Sequence, residues 1–158
     1  MGIISLFSEN DKKTMEKFEI EDYTFTIDKI KTKQFYSKSN SFCCECSYYL
    51  NFYTKISIIK KTIDNANLKF EIDFHKDVGQ RGDELHTLNF DDYDLYIVPY
   101  YVYGEYSLKK RTNNNRIQIS EDITISIEDI SYQKWFNINS KAFTVRLEYK
   151  TNKIESCN

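Results

Sequence analysis

Leu95–Tyr106, reading LYIVPYYVYGEY, constrains this chain more than any other stretch. Nearly every position is apolar or aromatic, so no polar face runs along it. Two structures read this way: a strand buried on both faces, or a wide aromatic surface kept open for a partner. Pro99 falls inside the run and cannot donate a ladder hydrogen bond, so the strand is expected either to break there or to lie on a sheet edge. Gly104 is expected to mark the bend that follows.

Period-two patterning surrounds this run. Phe18 and Ile20 share a parity, and Tyr23, Phe25 and Ile27 share another after a slip at Glu21–Asp22 that reads as a bulge. Lys29, Lys31 and Lys33 alternate with Ile30 and Thr32, as on a half-exposed strand. Cys46, Tyr48, Leu50, Phe52, Ile56 and Ile58 alternate as one long strand or two. Leu68–Phe74 alternates without fault, and a hairpin with 46–59 is expected. Leu85–Phe90, Ile123–Ile127 and Phe143–Tyr149 read as further strands. Thr112–Asn115 (TNNN) reads as a turn joining Tyr106–Lys110 to Arg116–Ser120.

With Gly at 4 positions and Pro at one, and with Ile, Tyr, Phe and Thr abundant, the chain suits pleated surfaces. The expected fold is all-β: an antiparallel two-sheet β-sandwich of about eight to nine strands. One domain over 17–150 is expected, with a helical or extended N-terminal arm over 1–16 covering a sheet edge and a flexible tail over 151–158.

Charge narrows the function classes. With 22 basic and 24 acidic side chains the net charge is −2, which excludes a globally basic nucleic-acid binder. No apolar run is long enough for a membrane span. The start, MGIISLFSENDKK, lacks the basic region of a signal peptide, so a cytoplasmic chain with reduced cysteines is expected.

Few residues point to chemistry. Cys43, Cys44 and Cys46 cluster, but a tetrahedral zinc site needs a fourth ligand, and neither Cys157 nor the histidines stand at metal-ligand spacing. No metal or cofactor is expected. His75 and His86 lack the glycine pattern of a nucleophile elbow or a phosphate-cradling loop beside them, so the chain reads as non-catalytic. Acids concentrate between Glu71 and Asp94: Glu71, Asp73, Asp77, Asp83, Glu84, Asp91, Asp92 and Asp94. Were their loops to converge, they would suit calcium, as in C2-type sandwiches.

Two binding surfaces follow. The first joins Tyr93, Tyr96, Tyr100, Tyr101, Tyr103 and Tyr106 to the acids Asp91, Asp92 and Asp94. Tyr anchors protein interfaces through apolar area with a polar tip, and the carboxylates would attract a basic partner. That implies a protein-binding module of inhibitor, immunity or adaptor type. The second is the basic hairpin Lys109, Lys110, Arg111 and Arg116, which would suit nucleic acid or lipid head groups, although lysines also protect open sheet edges.

Overall fold

The computed structural model describes residues 15–39, 47–76, 85–110, 115–130 and 141–152. Seven strands form one antiparallel sheet: β1 (Met15–Ile20), β2 (Tyr23–Asp28), β3 (His86–Asn89), β4 (Tyr93–Leu108), β5 (Arg116–Gln118), β6 (Ile123–Asp129) and β7 (Ala142–Asn152). The order across the sheet is β1-β2-β4-β7-β6-β5, with β3 also paired to β4. Two helices, α1 (Lys29–Lys38) and α2 (Ser47–Asn65), lie between β2 and β3 in the chain.

The β-rich reading holds, and the strands around 18–27, 85–90, 95–102, 116–120, 123–127 and 143–149 are present. The sandwich is not what the described residues form. They make one sheet, and its inner face is covered by α2 and the segment 66–76. The expected strand over 46–59 is helical, because Phe52, Ile56, Ile59 and Ile63 are the buried residues and their spacing is that of one helix face. Lys29–Lys33 is helical too, capped by the Asp28 carboxylate, which accepts from the Lys31 N–H at 3.0 Å. Leu68–Phe74 pairs with no strand, although Leu68, Phe70 and Phe74 do point into the core. Asn67 ends α2 with φ +57°, and the Asn67 and Leu68 N–H groups return to the carbonyls of Asp64 and Ile63 in a Schellman closure.

Glu21–Asp22 is a hairpin loop rather than a bulge. Ile20 pairs with Tyr23, and Glu21 takes φ +51°, a positive value of the kind tight two-residue loops use. Nor do 106–110 and 116–120 pair. β4 ends against β2, and β5 pairs β6. The expected N-terminal arm lies mostly outside the described residues, and Met15 and Glu16 belong to β1. Of the expected tail, Thr151 and Asn152 belong to β7, and the rest lies outside the described residues.

β4 organises the sheet. One edge pairs with β7 from Tyr93 to Tyr103 without interruption. The other edge is shared: β3 takes Asp94–Ile97 and β2 takes Gly104–Leu108. Between them lies a gap, toward which the main-chain groups of residues 99, 101 and 103 point, since Gly104 donates to Lys141 on the β7 side. Helix α1 lies across that gap. Thr32 Oγ1 accepts from the Tyr103 N–H at 3.1 Å, and the Tyr36 hydroxyl donates to the Tyr101 carbonyl at 2.8 Å. Pro99 has no N–H to satisfy. The strand therefore neither breaks at Pro99 nor ends at Gly104. The proline sits where a donor would have met no strand.

The inner row Tyr96, Val98, Tyr100 and Val102 meets Phe143, Val145, Leu147 and Tyr149 of β7 and Ile123, Ile125 and Ile127 of β6 in one core. Phe25 and Phe70 extend it, with ring centroids 5.0 Å apart and nearly perpendicular.

Candidate functional site

The tip of the β3–β4 hairpin gathers what the sequence assigned to a partner surface, on a smaller scale. Phe90 N–H donates to the Tyr93 carbonyl at 2.9 Å, which leaves Asp91 and Asp92 as the two residues of the turn. Both are exposed, and neither makes an ion pair among the described residues. The Phe90 and Tyr93 rings stack at 4.7 Å. Register puts Leu88 beside Leu95, so Leu88, Phe90, Tyr93 and Leu95 share the outer face of the sheet. Leu88 is 47% exposed and Phe90 42%. Lys150 lies 4.3 Å from the Tyr93 ring centre, a cation–π contact.

A hollow of about 430 Å³ adjoins this turn, lined by Asp92, Tyr93, Asp122, Tyr149, Lys55 and Lys150 among others. Its two carboxylates, Asp92 and Asp122, are matched in number by two lysines, Lys55 and Lys150, so the hollow carries no net charge. Burial holds the Tyr149 hydroxyl above its ordinary pKa, with Asp122 adding to the shift, so it stays a neutral hydrogen-bonding group.

The remaining residues of the expected tyrosine surface lie elsewhere. Tyr96 and Tyr100 are fully buried on the inner face. The Tyr96 hydroxyl accepts from Asn51 Nδ2 at 2.9 Å, and that of Tyr100 donates to the Phe74 carbonyl at 2.9 Å. Asp94 is buried on that face too. Tyr101 is 6% exposed, and Tyr101 and Tyr103 pack against Phe35 of α1 with centroids 6.0 Å away. Tyr106 is at the far end of β4, half-buried, and donates to Asp129 at 2.7 Å. Strand alternation sent half of the tyrosines inward, and the long pairing with β7 spread the rest along the strand. Leu88 and Phe90 were missed by the sequence reading. Their signal was two large apolar side chains of equal parity flanking an acidic turn.

The basic hairpin is dispersed. Lys109 meets Glu19 of β1 at 3.0 Å on one side of the sheet. Arg116, on β5 at the other side, makes a two-pronged pair with Glu148. Lys110 is exposed, and Arg111 lies outside the described residues. Among the described residues no single patch collects these charges.

Among the described residues no group of three or more His, Cys, Asp or Glu side chains converges as a metal site would need. Glu71 is bracketed by Lys33 at 3.5 Å and Lys29 at 3.8 Å, and Asp73 lies 3.5 Å from His75. Asp77, Asp83 and Glu84, like Cys43, Cys44, Cys46 and Cys157, lie outside the described residues. His86 is exposed on β3. A groove of about 680 Å³ between α1, the end of α2 and residues 67–76 is lined by Lys33, Lys60, Asp64, Lys69, Glu71 and Asp73 among others. Most of these are already matched in ion pairs: Lys33 with Glu71, Lys60 with Asp64, and Lys69 with Glu16.

Comparison with protein-family models, with curated proteins and with solved structures finds no match to this chain. The surface chemistry alone therefore carries the functional reading. No described helix is long and apolar enough to cross a membrane.

Proposed function

We propose that this chain is a non-catalytic protein-binding module of inhibitor, immunity or adaptor type, and that it meets its partner through the β3–β4 hairpin tip. The observation that carries the reading is the exposed pair Leu88 and Phe90, the latter stacked on Tyr93, rimmed by the unpaired carboxylates of Asp91 and Asp92. An apolar centre with a polar rim is the usual anatomy of an interface, and aromatic anchors supply much of its energy. The acidic rim selects a basic partner and speeds its capture. A cytoplasmic setting, with the cysteines as thiols, belongs to the same proposal.

The test is capture from the native cell with two baits, the wild-type chain and a Leu88→Ser/Phe90→Ser variant. A protein retained by the wild type and lost by the folded variant supports the hairpin tip. A partner retained equally by both sinks it, as does retention of none. Because truncating a central aromatic anchor costs about 2 kcal/mol or more, the expected loss of affinity is about thirtyfold or greater. The Asp91→Asn/Asp92→Asn variant is expected mainly to slow association and to flatten its salt dependence.

A further inference from the structure

We propose that two copies of this chain pair edge to edge through β1, antiparallel, about a two-fold axis at Phe18. β1 is the outermost strand on its side of the sheet. The Lys109 N–H donates to the Asp22 carbonyl, so the even residues of β2 face β4 and the odd ones, Tyr23, Phe25 and Ile27, face β1. Their partners are Ile20, Phe18 and Glu16. The main-chain groups of Met15, Lys17 and Glu19 therefore turn outward, and among the described residues none bonds across that edge.

An open row of N–H and C=O groups is a template for another strand, and charged side chains normally guard it. Here the charges select a register. Since the outward groups sit on odd residues, an added copy can shift only in steps of two. One central register sets Lys17 against Lys17, and another sets Glu19 against Glu19. The register between them sets Lys17 against Glu19 of the other copy, twice by symmetry, with Phe18 facing Phe18; Glu19 already holds Lys109 at 3.0 Å and accepts from Thr24 Oγ1 at 3.3 Å, so Lys17 of the other copy would be a second cation at that exposed carboxylate. Lys17 is exposed and makes no ion pair among the described residues. Phe18 is half-buried, its ring 5.1 Å from both Phe25 and Phe70, and a second Phe18 would cover its open flank.

The occupant is a second copy because the complement of Lys17-Phe18-Glu19, read antiparallel, is the same sequence. The other open edges offer shorter ladders, four residues in β3 and three in β5. Two six-residue edges cover less than the about 1,200 Å² of a stable interface, so the pairing is weak and depends on concentration.

Sedimentation velocity of the full chain, from about 5 µM to about 1 mM, reads the equilibrium. A reversible dimer is expected. Lys17→Glu turns both attractive pairs repulsive and should weaken it about tenfold or more. The triple exchange Lys17→Glu/Glu19→Lys/Lys109→Glu, which also keeps opposite charges at positions 19 and 109, should restore it. Lys17→Pro removes only an outward donor, leaves the β1–β2 bonds in place, and should abolish the dimer. A monomer at every concentration overturns the proposal. So does a dimer that survives both Lys17→Glu and Lys17→Pro with the fold intact by circular dichroism.

Discussion

Position 104 tolerates one residue. Gly104 takes φ +144°, and a Cβ there would collide with the Thr26 carbonyl oxygen and lie 2.9 Å from the Ile27 Cα. The obstacle is backbone on both counts, so no side chain can rotate away. Since β2 passes straight into α1 at Asp28, pushing β2 outward would also withdraw Thr32 and Tyr36 from the β4 gap. Gly104→Ala is therefore expected to destabilise the fold by roughly 2–4 kcal/mol, from backbone strain together with lost hydrogen bonds. Urea unfolding measures it, with Ser107→Ala, three residues further along the same exposed end of β4, as the control. A loss below about 0.5 kcal/mol for Gly104→Ala would mean that the strands do not approach so closely. The sequence exposed this glycine as special but pointed to a bend. A strand that needs glycine because its neighbour is too close looks the same in one dimension.

Among the elements, β1, α1 and the segment after α2 are tied by one carboxylate. Glu16 reaches Lys69 at 3.0 Å and Lys29 at 3.6 Å. The hydrogen bond and charge of Lys69, with help from Lys29, hold the Glu16 carboxyl below its ordinary pKa of 4.5. A depressed carboxyl pKa means that the stabilisation is complete above the unfolded value and disappears as pH falls through the folded one. The site is open to water, so the effect is small. Glu16→Gln is expected to lower Tm by about 1–3 °C at pH 7 and by less as the pH falls to 3. Thermal melts of both proteins at the two pH values decide it, and an equal gap at pH 3 would show that the charge is irrelevant. The elements also show why one class of sequence reading failed. Tyr48, Leu50, Phe52, Ile56 and Ile58 alternate, and so do the residues of a strand, but Phe52, Ile56, Ile59 and Ile63 also fall on one helical stripe. Both periods fit the same letters, and β-branched side chains tilted the choice toward strand. Tertiary packing settled it, because the inner sheet face needed a cover. Most strands were legible, since they keep one apolar row against that cover; β3 does not, because Thr87 faces inward and Leu88 outward. The hairpin tip was only half legible, because alternation within β4 cannot be read where both rows are aromatic.

At the scale of the whole molecule, the 13 tyrosines divide into groups with different access to hydroxide. Burial pushes the Tyr36 phenol well above its ordinary pKa of 10. Tyr106 is pushed up strongly by burial and by the Asp129 carboxylate that accepts its proton. Tyr23, Tyr103 and Tyr149 are raised by burial. For a phenol, a raised folded pKa means that stability is intact below the unfolded value and drains away as pH climbs above about 10. Ionisation followed at 295 nm should therefore stay incomplete until the fold opens. The buried group then ionises in a steep step that coincides with loss of the far-ultraviolet dichroism, because Tyr36 can lose its proton only by leaving the Tyr101 carbonyl and opening the gap in β4. Tyr36→Phe leaves that carbonyl without its donor, with a loss of about 1–3 kcal/mol at neutral pH, and removes the phenol whose ionisation drives the step, so the step should shrink. Smooth titration of every phenol with the dichroism unchanged would mean that α1 does not seal the sheet edge, and the placement of the hairpin tip relative to a closed core would fall with it.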